Sequence, residues 1–227
     1  LLQSEPVHAA LIDLDGTLID ALPDIHTAVN QAARRFALHE ASLEDVRGWI
    51  GKGARRLMER LLRHQGDAPV KVTIDELLEA YLEEYTLVNG REARVYPEVI
   101  EGLKAMKSAG LKLACVTNKP EMLTRVLLEH TGLSQFFDVV VGGAPHLALK
   151  PAPDALLAAC RALTCPVAAT IMIGDSENDL EAARAAGMRC LLVPYGYSLE
   201  APVQQLDADA IVPSLTGAAQ WIAAQRP

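Results

Sequence analysis

The sequence predicts an α/β protein, a doubly wound parallel sheet with a small α-helical domain inserted behind its first strand. Two observations carry this. Apolar runs of strand length recur without polar alternation, the pattern of parallel strands buried on both faces, and segments of helical period separate most of them. The rhythm is then broken once, by a long stretch holding helical patterns only, which no simple crossover needs.

Taken in order, strands are expected at Val7–Ile12, Leu111–Val116, Val139–Val141, Thr170–Ile173 and Arg189–Val193, with a weaker one at Ala210–Val212. The helices between them are expected at Glu98–Ala109, Glu121–His130, Asp154–Leu163 and Leu180–Ala186. The interrupting stretch shows helical period at Leu22–Phe36, Gly53–His64 and Thr73–Val88. It is read as an inserted domain of residues 20–94, which leaves 1–19 and 95–227 as the core. Hinges are expected near Leu18–Ala21 and Glu92–Tyr96.

Composition narrows the function. The 227 residues are 50 % apolar, ample for a packed core, and carry 21 basic against 29 acidic side chains for a net charge of −8. Without a clustered basic surface, a nucleic-acid partner is disfavoured. No run is long and apolar enough to span a bilayer, so no membrane partner is expected and the chain reads as soluble and cytoplasmic. It starts at Leu1 rather than Met, which leaves room for residues upstream, a removed leader included. Cys115, Cys160, Cys165 and Cys190 lack the close pairing of a zinc site or a disulfide framework and are expected as reduced thiols; the six histidines show no metal-ligand spacing.

The chemistry concentrates at strand ends. The first strand runs into Asp13-Leu14-Asp15-Gly16-Thr17, and carboxylates at i and i+2 of an extended chain point to one side, at the edge where open α/β sheets bind ligands. Asp175 follows the run Thr170–Ile173, and Asp179 stands four residues further, within reach of the same pocket. Such an oxygen-rich cluster suits Mg²⁺, with Asp13 and Asp175 as its ligands. Asp179 has a second reading, because Ser176 and Asp179 form a capping pattern, and capping or orienting duty is favoured over direct coordination. Thr117 and Asn118 end another strand just before Lys119-Pro120-Glu121 opens a helix, and free amides with a hydroxyl can bind an anion there. A strand end with a helix cap explains these two residues as well. Lys150 lies in a Pro-rich loop, ordinarily a solvated position, but here opposite both acidic clusters. Acidic residues repel phosphate unless a cation intervenes, so the ensemble implies Mg²⁺, a phosphorylated substrate and phosphoryl transfer.

In this order and combination, DLDGT, TN, K-P-x-P and GDSEND resemble the four motifs of the haloacid dehalogenase superfamily, over essentially the whole chain. The resemblance implies a Rossmann-like core with a small helical cap that closes over the site. It implies that Asp13 is the nucleophile forming an aspartyl phosphate, and that Asp15 protonates the leaving oxygen and then activates water. By the same token Thr117 and Lys150 serve catalysis, Asn118, Gly16 and Thr17 bind substrate, and Asp13, Asp15, Asp175 and Asp179 make the metal site. Dehalogenases lack the second aspartate, and phosphonoacetaldehyde hydrolases resemble the pattern with alanine there, so a phosphate ester is favoured over a C–Cl or C–P bond. The latter carry a Schiff-base lysine in the cap, and Lys52 lies in a comparable region.

The loop Trp49-Ile50-Gly51-Lys52-Gly53-Ala54, Thr117-Asn118-Lys119 and Val141-Gly142-Gly143 look like those of bacterial phosphoglycolate phosphatases, which implies 2-phosphoglycolate as substrate. Ala21, where serine is common, and Ala144-Pro145-His146 depart from that subfamily. From Leu43 to Pro69 the cap holds six basic residues (Arg47, Lys52, Arg55, Arg56, Arg60, Arg63) against Glu44, Asp45, Glu59 and Asp67, a patch able to receive a substrate carboxylate. Lys52 and Arg55 are the expected contacts, with a solvated helix face as the alternative for Arg56, Arg60 and Arg63. The expected partner is a small phosphorylated metabolite, and the expected state a monomer or homodimer. A phosphomutase of the β-phosphoglucomutase type is the nearest rival, and a receiver-like phospho-acceptor module the rival from another class.

Overall fold

The computed structural model describes residues 6–66, 70–197 and 202–225; Asp67 and Pro69, counted in the basic stretch above, lie outside them. The chain opens with β1 (Ala9–Ile12) and β2 (Ile19–Asp20) and passes through α1 (Leu22–Arg35), α2 (Leu43–Arg47), α3 (Ala54–His64) and α4 (Ile74–Val88). It returns through β3 (Arg94–Val95), α5 (Val99–Ser108), β4 (Lys112–Pro120), α6 (Glu121–His130) and β5 (Val139–Gly143). It closes with α7 (Asp154–Leu163), β6 (Thr170–Gly174), α8 (Glu177–Ala186), β7 (Arg189–Leu192), β8 (Ala210–Ile211) and α9 (Leu215–Ala224).

Six strands form one sheet in the order β5-β4-β1-β6-β7-β8, and every pairing in it is parallel. The chain builds outward from β1 on one side and then crosses to β6 on the other, so the order reverses between β1 and β6. That crevice, at the carboxyl ends of the strands, is where such sheets bind ligands. β1 is wholly buried, as its unbroken apolar sequence requires: Ala10 and Ile12 join one core, Ala9 and Leu11 the other. Leu103 and Met106 of α5, Leu127 of α6 and Ile222 of α9 fill the first core, while Leu156 of α7 and Ala183 of α8 fill the second.

Between β2 and β3 the helices α1 to α4 lie over the first core, which runs without a break into Ile25, Val29, Met58, Leu61 and Tyr85. Both expected hinge segments meet in one short antiparallel ribbon, Ile19 beside Val95 and Asp20 beside Arg94. Asp24, buried in the first turn of α1, accepts backbone N–H bonds from Gly90 (2.8 Å), Glu92 (2.9 Å) and Ala93 (3.2 Å), which ties the start of the helical segment to its exit. The expected strands and helices all occur. The ribbon, the short α2, capped reciprocally by Ser42 and Asp45, and α9 are additions to them. Among the described residues no helix is long and apolar enough to cross a membrane, and the four cysteines are free thiols.

Candidate active site

Each strand of the crevice delivers a polar group where its apolar run stops. After β1 the Asp13 N–H still donates to the Ile173 carbonyl (3.0 Å), and the chain then turns tightly, Leu18 and Ile19 donating back to the Leu14 carbonyl. Gly16 takes φ +90° in this turn, a left-handed conformation that favours glycine. It also gives space, because a Cβ there, or at Gly196, would overlap the Asp175 carboxylate.

Asp13, Asp175 and Asp179 each present a carboxylate oxygen within 4.8 Å of the others. Lys150 stands among them with its Nζ 2.9 Å from Asp13 Oδ1, donating to Asp179 Oδ1 (2.6 Å) and to the Val116 carbonyl (2.9 Å). Asp179 Oδ2 accepts from the Asp175 and Ser176 N–H groups and the Ser176 hydroxyl, so this side chain caps α8 and aims Lys150. Asp175 is gripped by the Thr17 hydroxyl (2.9 Å) and the Tyr197 N–H (2.6 Å). Thr17, expected at the substrate, is thus placed against Asp175.

The electrostatics test whether a divalent cation fits. Burial pushes Asp13 up to about 7, with Lys150 opposing and Asp179 adding repulsion. Burial, then Asp179 and Asp13, push Asp175 well above the carboxylate range. For Lys150 burial works against the ammonium, but Asp13 and Asp179 outweigh it and hold the proton on. With all three carboxylates ionised, one ammonium leaves two negative charges uncompensated, which a divalent cation would offset and whose burial without one favours protonation. Asp13 Oδ1 is also buried without a well-angled hydrogen bond, so it retains a lone pair to offer. The cluster therefore suits a hard cation such as Mg²⁺, with Asp13 offering the oxygen that lacks a hydrogen bond, whereas Asp175 and Asp179 each have both oxygens engaged by protein donors.

Asp15 faces the same cavity with a different partner. Lys119 Nζ lies 3.1 and 3.2 Å from its two oxygens and also donates to the Tyr85 hydroxyl of α4. Thr117 lines the cavity, and its hydroxyl accepts from the Lys119 N–H (3.3 Å). The Asn118 amide is taken up by Lys150, accepting from its N–H and donating to its carbonyl (both 2.8 Å), and by the Gly51 carbonyl (2.8 Å), to which Asn178 also donates (3.4 Å). Asn118 therefore shapes the Lys150 loop and docks the α2–α3 loop. Gly51 and Gly53 have positive φ, and a Cβ on Gly53 would come 2.7 Å from Leu149 Cδ1, which accounts for the two glycines flanking Lys52.

The cavity, about 60 Å³, is roofed by Ile25, Trp49, Ile50, Leu57, Tyr81 and Tyr85. Of the residues expected at the substrate, Lys52 lines an adjoining outer cavity with Arg56 and Glu177, which shares Lys150 and Asn178 with the inner one, and Arg55 is exposed in an ion pair with Asp75. Lys119, Tyr85, Asn178 and Tyr197 are site residues that sequence reasoning missed. A signal existed for Lys119, directly behind Thr117-Asn118, and for Asn178, inside the GDSEND motif.

The same fold recurs in solved structures. The crystal structure of a predicted phosphoglycolate phosphatase from Haemophilus somnus matches with a TM-score of 0.86 at 31 % identity, covering 95 % of this chain and 97 % of that one. CbbY from Rhodobacter sphaeroides, in complex with phosphate, matches with a TM-score of 0.80 at 26 % identity over 92 % and 95 % of the two chains. The haloacid dehalogenase-like hydrolase profile matches residues 10–193, and the chain belongs to that family. Within it, the chain is similar to the phosphoglycolate phosphatases of Nitrosospira multiformis, 41 % identical over 218 residues, and Thiobacillus denitrificans, 40 % identical over 218 residues, with 96 % of each chain covered in both cases.

Proposed function

We propose that this enzyme is a Mg²⁺-dependent phosphatase of small phosphate monoesters, with 2-phosphoglycolate as its substrate and a covalent phosphoenzyme on Asp13. Family membership and the named relatives support a phosphoric monoester hydrolase. The observation that carries the reading is the pairing of a buried Asp13, held between Lys150 and Asp175, with Asp15 two residues on in one small cavity.

Asp13 and Asp175, with the Asp15 backbone carbonyl, would hold the cation, which when bound supplies positive charge against the phosphoryl oxygens. Asp13 Oδ attacks phosphorus and the ester P–O bond breaks, the departing oxygen taking a proton from the Asp15 carboxyl. Asp15, now a carboxylate, removes a proton from water, the water oxygen attacks phosphorus, and the bond to Asp13 breaks to release phosphate. Asp15 is left protonated for the next turnover. Lys150 stabilises the charge on Asp13 and on the transferring group. Residues 20–94 act as a cap whose Gly51 carbonyl docks on Asn118 and Asn178. The reading includes residence in the cytoplasm as a monomer or homodimer.

Asp13→Asn is expected to lower phosphate release at least about a thousandfold while the circular dichroism spectrum stays native. Chelation with EDTA should silence the wild type and Mg²⁺ restore it. Appreciable Mg²⁺-dependent turnover by the variant would overturn the nucleophile, and turnover indifferent to EDTA would overturn the metal. In a phosphate-release screen over phosphoglycolate, sugar phosphates, nucleotides and pyrophosphate, phosphoglycolate should give the highest kcat/KM.

A further inference from the structure

We infer that Lys119 receives a carboxylate on the leaving group of the substrate and so sets the preference of this site for phosphate esters of short hydroxy acids. The inference rests on the phosphatase reading and adds the residue that recognises the non-reacting end of the molecule.

Two cationic side chains line the inner cavity, Lys119 and Lys150. Lys150 is committed to Asp13, Asp179 and the Val116 carbonyl, which puts its charge on the nucleophile and the transferring group. Lys119 stands against both oxygens of Asp15, on the side where the departing oxygen takes its proton, and with Asp15 protonated for that step its ammonium would be left to pair with a carboxylate of the substrate. Its side chain is 2 % exposed, and its ammonium is held over the Tyr85 ring, 4.3 Å from the centroid, while it donates to the Tyr85 hydroxyl. That hold fixes the cation in place before substrate arrives, which lowers the ordering cost of binding.

The surroundings make a cation on this side necessary. Ile25, Trp49, Ile50 and Leu57 form an apolar roof, and a substrate carboxylate beneath it loses water that only a paired charge can offset. The cap cations expected for this task are elsewhere, Arg55 on Asp75 at the surface and Lys52 on the outer cavity. In an ester of a short hydroxy acid the carboxylate sits close to the ester oxygen, which is where Lys119 meets Asp15.

The test compares kcat/KM for 2-phosphoglycolate with that for ethyl phosphate, equally short but without the carboxylate, in the wild type, Lys119→Met and Tyr85→Phe, all with Mg²⁺. The wild type should prefer phosphoglycolate. In Lys119→Met that preference should fall roughly 10- to 100-fold, mostly through KM, as expected for loss of a hydrogen bond to a charged group. Tyr85→Phe should lower it in the same direction by less, and decides the matter should Lys119→Met not fold. A preference that survives in the folded variants, or a wild type that hydrolyses both esters equally well, overturns the role of Lys119 and leaves the phosphatase standing. A wild type that releases phosphate from neither ester overturns the phosphatase reading and this inference with it.

Discussion

Asp138, just ahead of β5, accepts a hydrogen bond from the Leu113 N–H (2.8 Å) and pairs with Lys107 of α5 (2.9 Å). Burial alone would raise this carboxyl, but the Leu113 N–H and Lys107 outweigh it and hold the group below the usual carboxylate range. A carboxylate whose pKa is lowered by folding adds stability that is fully present above the unfolded value, near about 4, and lost as pH falls through the folded one. Asp138→Asn should therefore be less stable than the wild type at pH 7, by under about 1 kcal/mol because both side chains are more than a third exposed, with the gap closing as the pH is lowered through the range where the carboxylate takes up its proton. Urea titrations across that range check this, and a gap independent of pH would rule out the ionised carboxylate as its source. The same scale shows what a sequence discloses about a site. That Asp13, Asp15 and Asp175 gather at one edge of the sheet was legible because each stands at or just beyond the end of a buried apolar strand. Lys119 was not, since a lysine at a strand–helix junction is ordinarily solvated and only the fold brings Tyr85 of α4 over it. Gly16 and Thr17, expected at the substrate, stand against Asp175 instead, a placement hidden from the sequence because the Thr17–Asp175 contact spans 158 positions in the chain.

Helices with a clear apolar face and a proline or charged start were readable to the residue, as α6 (Glu121–His130) and α7 (Asp154–Leu163) demonstrate. α2 has five residues and β2 and β3 two each, too few for any period to emerge, and pairing rather than composition makes them. α9 escaped notice because its run of Leu215, Ala218 and Ile222 is diluted by small residues. Its packing explains those residues in part. Gly102 of α5 lies so close to α9 that a Cβ would meet the Leu215 carbonyl carbon at 2.5 Å, a backbone contact that cannot swing aside. Gly102→Ala, although it improves helix propensity, is therefore expected to destabilise the protein by about 1 to 3 kcal/mol. Thermal unfolding measures it, and a raised Tm would mean that α5 and α9 separate without cost.

Across the whole molecule, the inserted helices touch the catalytic edge through few polar contacts, and one reaches beyond the cavity. Arg47 of α2 donates to the Gly196 carbonyl (3.0 Å) and lies 5.9 Å from the centre of the Tyr197 ring, in the same loop whose Tyr197 N–H holds Asp175. Arg47→Ala should raise KM for phosphoglycolate by about three- to tenfold with little change in Tm, since it loosens closure rather than a core. Steady-state kinetics decides, and an unchanged KM would reduce Arg47 to a surface contact. The run of helices between β2 and β3 was legible as an interruption of the strand rhythm, whereas the ribbon that gathers both crossings needed the fold. The central place of β1 carries one more consequence, for the birth of the protein. Ala9 finds its first ladder partner in Lys112 and its second in Thr170, so the most apolar strand is translated first and paired late. At roughly 5 to 20 residues per second, a ribosome leaves both its edges open for several seconds or more, the window in which a nascent chain is exposed to aggregation and to chaperones.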